Sequence, residues 1–265
     1  MATLTREVEE RTAQLSAEQA VQEAEYEFPY HYIPRYEGGN FSQVRKLRWG
    51  YEYLSYLRFV LARLESQEFD SLLDVGCGDG RFLRDASARF RGKRLVGVDL
   101  SARAVAYARL LSPGVEFVCG DITDGALAPI GEERFDVVTL IETLEHVAHD
   151  ALGDFAAALR RLVKPGGTLV ASVPSKNIKM SRKHYQHFDL ASLAAALRPH
   201  FEIAEHHYLN RVSKWERLVS AALTNRYFIL NDQRLLNALF RRYERSLLRA
   251  GASDCKRLCV VCKPA

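Results

Sequence analysis

From residue 71 onward, segments with two different patterns of apolar and polar positions alternate along the chain. Short apolar runs are typical of buried strands, and longer segments with apolar residues three and four positions apart are typical of amphipathic helices. The predicted strands are 72–75, 94–98, 115–119, 135–141, 168–173, 201–208 and 257–262. The predicted helices are 81–89, 102–111, 151–162, 190–197, 213–223 and 233–250. Such alternation predicts right-handed crossovers and a parallel sheet covered by helices.

The first 64 residues follow a different pattern. Residues 5–25 are rich in Ala, Glu and Gln and have few large apolar side chains, which predicts a solvated helix. Aromatic residues crowd into 26–59, and apolar positions have helical spacing over 41–64. We therefore predict a helical, aromatic cover over residues 1–64. A second domain would follow over 65–265, with a helical insertion at about 209–256.

The composition narrows the class of protein. Hydrophobic residues make up 48% and charged residues 26%, as in ordinary soluble proteins. No apolar stretch approaches the roughly 20 residues that span a bilayer, and the polar, acidic N-terminus does not resemble a secretory signal. The odd set of five cysteines favours reduced thiols and a cytoplasmic location. A net charge of +4 is too small to identify a partner, and we expect no membrane partner.

Three alternating glycines follow the first strand of the alternating region. Gly76, Gly78 and Gly80 come directly after this strand, and Asp99 ends the next one. In a doubly wound sheet, glycines let the backbone approach a nucleoside ligand, and an acid at the end of the second strand binds ribose hydroxyls. The spacing therefore predicts a nucleoside site.

The order of the motifs resembles that of the class I S-adenosylmethionine (SAM)-dependent methyltransferases. The matching segments are 73–80 (LDVGCGDG), 98–101 (VDLS), 119–122 (CGDI), 135–147 and 162–169. The resemblance implies a Rossmann-like α/β fold: a seven-stranded, mostly parallel sheet with helices on both faces, an N-terminal cover and a helical insertion before the last strand. The chain is similar to ubiquinone-pathway O-methyltransferases and, more weakly, to small-RNA 2′-O-methyltransferases. The Gly-x-Gly-x-Gly spacing favours SAM over NAD.

The resemblance also implies roles for individual acids. Asp74 would lie near the methionine amino group of SAM, Asp99 would hold the ribose, and Asp121 would contact the adenine amine. Each has an alternative as a loop or helix-capping carboxylate. The predicted cofactor-binding residues are Asp74, Gly76, Cys77, Gly78, Asp99, Leu100, Asp121, Ile122 and Ile141.

Candidate catalytic residues follow the fourth and fifth strands. His146 is a candidate general base, since an unperturbed pKa near 6.5 suits proton transfer at neutral pH, and its alternative role is to orient a loop. Glu142 and His187 are further candidates. The predicted substrate contacts are Tyr26, Tyr30, His31, Tyr32 and His184.

A metal site is an alternative use of the same segment. Carboxylates and imidazoles suit divalent ions, and the small-RNA enzymes that the segment resembles hold a metal there. The ligand set would be Glu142, Glu145, His146 and His187. Our main expectation is that no metal is used.

These observations predict a SAM-dependent methyltransferase that acts on an oxygen or nitrogen of a small organic substrate. One alternative is a metal-assisted RNA 2′-O-methyltransferase, which the basic residues of 209–256 favour. Another is a non-catalytic SAM-binding regulatory protein. The basic insertion also fits a solvated face or a homodimer contact.

Overall fold

The computed structural model describes residues 16–24, 35–37, 39–42, 47–124, 127, 130–225, 230 and 232–265. Its strands are β1 (Arg35–Glu37), β2 (Asn40–Ser42), β3 (Ser71–Val75), β4 (Arg94–Asp99), β5 (Glu116–Cys119), β6 (Phe135–Ile141), β7 (Val163–Pro174), β8 (Phe201–Arg211) and β9 (Cys255–Pro264). Its α-helices are α1 (Ala17–Ala24), α2 (Leu47–Leu64), α3 (Arg81–Arg89), α4 (Ala102–Leu111), α5 (Leu152–Leu162), α6 (Leu190–Leu197), α7 (Lys214–Leu223) and α8 (Gln233–Ser246).

The chain divides into two compact units. The first comprises the described residues of Met1–Tyr30, Glu68–His206 and Leu258–Ala265. The second comprises those of His31–Gln67 and His207–Arg257. Most of the described residues of the predicted N-terminal cover and of the predicted insertion fall in the second unit.

The first unit is built on the predicted seven-stranded, mostly parallel sheet, which is confirmed. The strand order is β5-β4-β3-β6-β7-β9-β8. Strand β3 lies between two parallel neighbours, so that Leu73 pairs with Val96 of β4 and with Val138 of β6. All five residues of β3 are buried, as expected of a strand in a sheet covered on both faces. The carboxyl ends of β3, β4 and β6 therefore meet at one edge.

Helices α3, α4 and α6 begin and end where the sequence pattern predicts. Strand β7 begins five residues earlier than predicted, at Val163, which pairs with Phe135 across a register shift. The shift extends the strand through Gly166, which adopts φ +77°. No helix in the described part of the chain is both long and apolar enough to cross a membrane.

The second unit contains a hairpin that the sequence analysis missed. Strands β1 and β2 pair antiparallel, with Glu37 opposite Asn40. The predicted helix over 41–64 is wrong at its start, because Phe41 lies in β2 and α2 begins at Leu47. The buried core cluster of this unit is Tyr51, Leu54, Leu230, Leu236, Phe240 and Tyr243.

Candidate functional site

A cavity of about 290 Å³ lies in the first unit, at the carboxyl ends of the parallel strands. Its walls include Val75 at the end of β3, Gly120 after β5 and Glu142 after β6. Ligands of doubly wound sheets bind at this edge, because the loops that follow parallel strands converge there. The cavity therefore coincides with the predicted nucleoside site.

The glycine loop after β3 forms one wall of the cavity. The backbone N–H groups of Gly76 and Cys77 donate to the carbonyl oxygen of Val98, at 2.8 and 3.0 Å. Gly76 has φ +74°, and a Cβ built on it would lie 2.3 Å from Oγ1 of Thr143. The left-handed backbone and the short distance to Thr143 each exclude a side chain at residue 76. The glycine thus lets bare backbone line the cavity while Thr143 packs against the loop.

Asp99 is fixed at the end of β4 by two backbone donors. Its Oδ2 accepts from the N–H of Gly78 at 2.7 Å, and its Oδ1 accepts from the N–H of Ser101 at 2.9 Å. Burial outweighs these donors and raises the pKa of Asp99 to about 6, so that the group is ionised at pH 7 and above. Each oxygen keeps lone-pair capacity for further donors such as ribose hydroxyls.

The wall after β4 and β5 suits a flat, partly apolar ring. Leu100, Asp121 and Ile122 all line the cavity. Leu100 is 45% exposed and Ile122 is buried. Oδ1 of Asp121 accepts from the N–H and the hydroxyl of Thr123, at 2.8 and 2.7 Å, which holds the carboxylate in place. An apolar surface beside an oriented acceptor fits an adenine ring and its amine.

Four predicted cofactor residues, Asp74, Cys77, Gly78 and Ile141, are not among the residues that line the cavity. Asp74 is buried, accepts from Oγ1 of Thr139 at 2.6 Å, and has its pKa raised to about 7 by burial. Burial likewise raises the pKa of the Cys77 thiol. Gly78 acts through its N–H, which orients Asp99. Direct cofactor contact by these four residues stays a prediction.

His146 lines the cavity and has a defined tautomer. Its Nδ1 lies 2.8 Å from the carbonyl oxygen of Lys183. A carbonyl accepts hydrogen bonds and cannot donate them, so Nδ1 carries the proton and Nε2 carries the lone pair. Burial, aided by the charge of Lys183, lowers the pKa of His146 to about 4. The imidazole is therefore neutral at pH 7, which corrects the assumption of an unperturbed pKa near 6.5.

Glu142, which also lines the cavity, adopts an unusual backbone conformation. Its φ is +52°, in the left-handed region that non-glycine residues seldom adopt, and its Oε1 accepts from the hydroxyl of Ser172 at 3.2 Å. The conformation turns the chain sharply after β6, and the 3-10 turn Leu144–His146 follows. This turn brings His146 back to the cavity.

Two further histidines pack beside His146. The rings of His146 and His184 meet edge to face at 4.9 Å, and Nδ1 of His184 lies 2.8 Å from Nε2 of His187. One ligand atom each from Glu145, His146 and His184 lie within 4.8 Å of one another. The set predicted from the sequence was Glu142, Glu145, His146 and His187. The structure instead brings in His184, which was predicted to contact substrate, and places His187 behind it.

Helix α1 forms a wall of the cavity that the sequence analysis missed. The helix over 5–25 was expected to be solvated, yet Glu23 is 6% exposed and lies 3.6 Å from Arg103. The hydroxyl of Tyr185 donates to Oε2 of Glu18 at 3.1 Å and lies 2.9 Å from Oγ of Ser16. The residues of α1 that line the cavity are Glu18, Gln19, Gln22 and Glu23. The predicted substrate residues Tyr26, Tyr30, His31 and Tyr32 lie outside the described residues.

Comparison with known proteins gives matches to the central part of the chain. Residues 73–171 match the family of methyltransferase domains. A ubiquinone biosynthesis O-methyltransferase from Alkalilimnicola ehrlichii is 43% identical over 128 residues, which cover 48% of this chain and 49% of that protein. The chain thus spans about half the length of the curated relatives it matches.

Solved structures resemble a larger part of the chain. A SAM-dependent methyltransferase from Archaeoglobus fulgidus has a TM-score of 0.53 at 16% identity, covering 78% of this chain and 94% of that one. The N-methyltransferase NodS from Bradyrhizobium japonicum, in complex with S-adenosyl-L-homocysteine, has a TM-score of 0.50 at 18% identity, covering 63% and 83%. At these identities the likeness shows the fold.

Proposed function

Since this chain carries a class I SAM-dependent methyltransferase domain, we propose that it transfers the methyl group of SAM to an oxygen of a small organic acceptor. The observation that carries the proposal is the lone pair on Nε2 of His146, at a cavity that Gly76, Asp99 and Asp121 also line. The sequence left oxygen and nitrogen open as acceptor atoms. The O-methyltransferase relatives and a neutral imidazole favour a hydroxyl group.

The residues that line the cavity support SAM as its ligand. The backbone of Gly76 permits close approach, Asp99 offers acceptors for the ribose, and Asp121 lies beside an apolar wall for the adenine. Carboxyl groups outnumber cationic side chains among the lining residues, which suits a ligand with a positively charged sulfur. The lining acids are Glu18, Glu23, Asp99, Asp121 and Glu142, and the lining cation is Lys183.

Bound SAM would supply a methyl group that its sulfonium already activates, so that the protein contributes alignment and proton removal. In the proposed reaction, Nε2 of His146 accepts the proton of the acceptor hydroxyl while its Nδ1–H remains bonded to the carbonyl of Lys183. A carboxyl oxygen of Glu145 lies 4.0 Å from Nε2, close enough to stabilise the resulting imidazolium.

Replacing Asp99 by asparagine is expected to weaken SAM binding about tenfold to a hundredfold, because an ionised acceptor for the ribose is lost. Because the pKa of Asp99 is raised to about 6, the affinity for SAM should also depend on pH. Wild-type affinity should fall between pH 8 and pH 5 as Asp99 takes up its proton, while the affinity of the variant should change little. Calorimetric titration with SAM measures both. Asp150→Asn, an exposed acid in the same unit, is the matched control. A variant that binds like wild type would remove Asp99 from the site.

Replacing Tyr185 by phenylalanine is expected to weaken SAM binding about threefold to tenfold. The change removes the hydroxyl that joins Glu18 of α1 to the loop carrying Lys183, so that α1 is held less firmly at the cavity. Glu18→Gln keeps an acceptor and should lose less. Proteolysis rates with and without SAM would report on α1. Equal affinities for wild type and Tyr185→Phe would contradict a role of α1 as a cofactor cover.

The acceptor itself is identified by transfer of label. The protein is incubated with SAM labelled in its methyl group and with a cell extract, and the labelled product is characterised. A small hydroxylated compound whose labelling requires Asp99 supports the proposal. Binding of SAM without any labelled product would favour the non-catalytic alternative.

A second candidate function is metal-assisted methylation of an RNA ribose hydroxyl. The cluster of Glu145, His146 and His184 favours it, because two imidazoles and a carboxyl group suit divalent first-row metals, which polarise oxygen nucleophiles. Activity on RNA 3′ ends that EDTA abolishes and Mn²⁺ restores would support this function. Transfer to a small hydroxylated compound in the presence of EDTA would contradict it.

We also infer a cytoplasmic location, which the odd number of five cysteines supports because secreted proteins usually pair their thiols. A homodimer stays a prediction.

A further inference from the structure

Helix α7 of the second unit presents large apolar side chains to solvent. The helix has no buried residue. Trp215 is 64% exposed and Leu218 is 63% exposed. They lie three residues apart and therefore share one face of the helix, and Val212, just before the helix, is 42% exposed. An apolar strip of this kind is costly in water unless something covers it.

Basic side chains accompany this strip. Arg211, Lys214 and Arg217 are exposed, and Lys214 lies one helical turn before Leu218. Exposed bases also outnumber exposed acids over the described residues of 209–256, where Asp232 is the exposed acid. The other exposed bases there are Arg234, Arg241, Arg242, Arg245 and Arg249.

We propose that this face, Val212, Trp215 and Leu218 with Arg211, Lys214 and Arg217, docks on the surface of an anionic phospholipid membrane. Apolar side chains insert at the level of the headgroups, where Trp is favoured, and the bases pair with lipid phosphates. A second copy of the chain would bring like charges together, and a nucleic acid would give Leu218 and Val212 nothing apolar to contact.

The surface lies outside residues 73–171, which match the methyltransferase family. We expected no membrane partner from the sequence because no apolar segment is long enough to span a bilayer. Lying on a bilayer requires no such length. The proposal is independent of the catalytic one, since it concerns attachment and not transfer.

The test uses the full chain and sedimentation with lipid vesicles. Binding to vesicles of phosphatidylcholine and phosphatidylglycerol in equal parts is expected to exceed binding to phosphatidylcholine alone, and to fall as salt screens the charges. The double variant Trp215→Ala, Leu218→Ala should lower the partition coefficient about tenfold, and Lys214→Glu, Arg217→Glu should do the same. Matched controls in the first unit are Leu110→Ala, 77% exposed, and Arg91→Glu, also exposed.

Thermal unfolding and SAM titration check that the variants are folded, and both should be unchanged. Binding that both controls retain and both α7 variants lose supports the proposal. The proposal would be overturned by the absence of a preference for anionic vesicles, by equal losses in the controls, or by a wild-type dimer that Trp215→Ala dissociates, which would assign the face to a second copy. Retention of RNA without retention of vesicles would also overturn it.

Discussion

Replacing His146 by alanine is expected to lower kcat about a hundredfold or more while leaving SAM affinity within about threefold of the wild-type value. A positioned general base contributes about 10²–10⁴ in rate, and the variant removes the lone pair on Nε2 that takes up the hydroxyl proton. Asp99, Asp121 and the glycine loop are untouched. Single-turnover measurements with the acceptor found by methyl labelling separate the chemical step from binding.

Two further variants distinguish a base from a residue that holds a loop. His149 lies exposed in the next turn, so His149→Ala should behave as wild type. In His146→Asn the side-chain amide can still donate to the carbonyl of Lys183 but has no basic nitrogen. If His146 is the base, this variant is as slow as His146→Ala. Recovery of the wild-type rate in His146→Asn would show that the residue only orients the loop.

The pH dependence of the rate follows from the same environment. Burial holds the pKa of His146 near 4, so the ring stays neutral as the pH falls from 8 to 5. Loss of kcat/KM near pH 6 is therefore expected from Asp99, whose pKa is raised to about 6, and should disappear in Asp99→Asn. A kcat profile with an acid limb near 6.5 that vanishes in His146→Asn would contradict this assignment.

Replacing Gly76 by alanine is expected to lower the free energy of unfolding by about 3 kcal/mol and to weaken SAM binding at least tenfold. Part of the cost is the left-handed backbone at φ +74°, about 1–2 kcal/mol for a residue with a Cβ. The rest comes from the collision with Thr143, which displaces either the loop or the turn leading to His146. Denaturant unfolding and SAM titration measure the two effects.

The matched control for Gly76 is Gly92, which has φ +77° and no atom within 4 Å of the position that a Cβ would take. Gly92→Ala should cost about 1–2 kcal/mol and leave SAM affinity unchanged. Adding Thr143→Ala to Gly76→Ala removes the contacts at 2.3 and 2.5 Å but keeps the one at 2.9 Å, so partial recovery is expected. Equal stability losses in Gly76→Ala and Gly92→Ala would show that the collision with Thr143 has no cost.

Much of the first unit could be predicted because its signals are local. Apolar runs bounded by glycines and helix caps located the strands and helices α3, α4 and α6. Because the carboxyl ends of parallel strands lie at one edge of the sheet, Gly76, Asp99 and Asp121 come together at one cavity. The positions of these acids needed no knowledge of side-chain packing.

The parts that escaped prediction depend on contacts between distant residues. Helix α1 has few large apolar residues, and its place at the cavity depends on Tyr185, 169 positions after Ser16. Which of His184 and His187 joins the cluster with Glu145 and His146 depends on the path of an irregular segment without periodicity. In this segment the N–H of Lys176 donates to the carbonyl oxygen of Phe188. The low pKa of His146 likewise arises from burial, which no spacing of residues reveals.

The group that selects the tautomer of His146 belongs to the main chain, and this hides it from side-chain mutagenesis. Substituting Lys183 by alanine would remove its positive charge but keep its carbonyl oxygen. An alanine scan would therefore report only the effect of the lost charge at position 183. Replacing the amide between residues 183 and 184 by an ester, through chemical synthesis of that segment, would weaken the acceptor directly. The proton of the ring would then be free to move to Nε2, and the base would be switched off without any change of side chain.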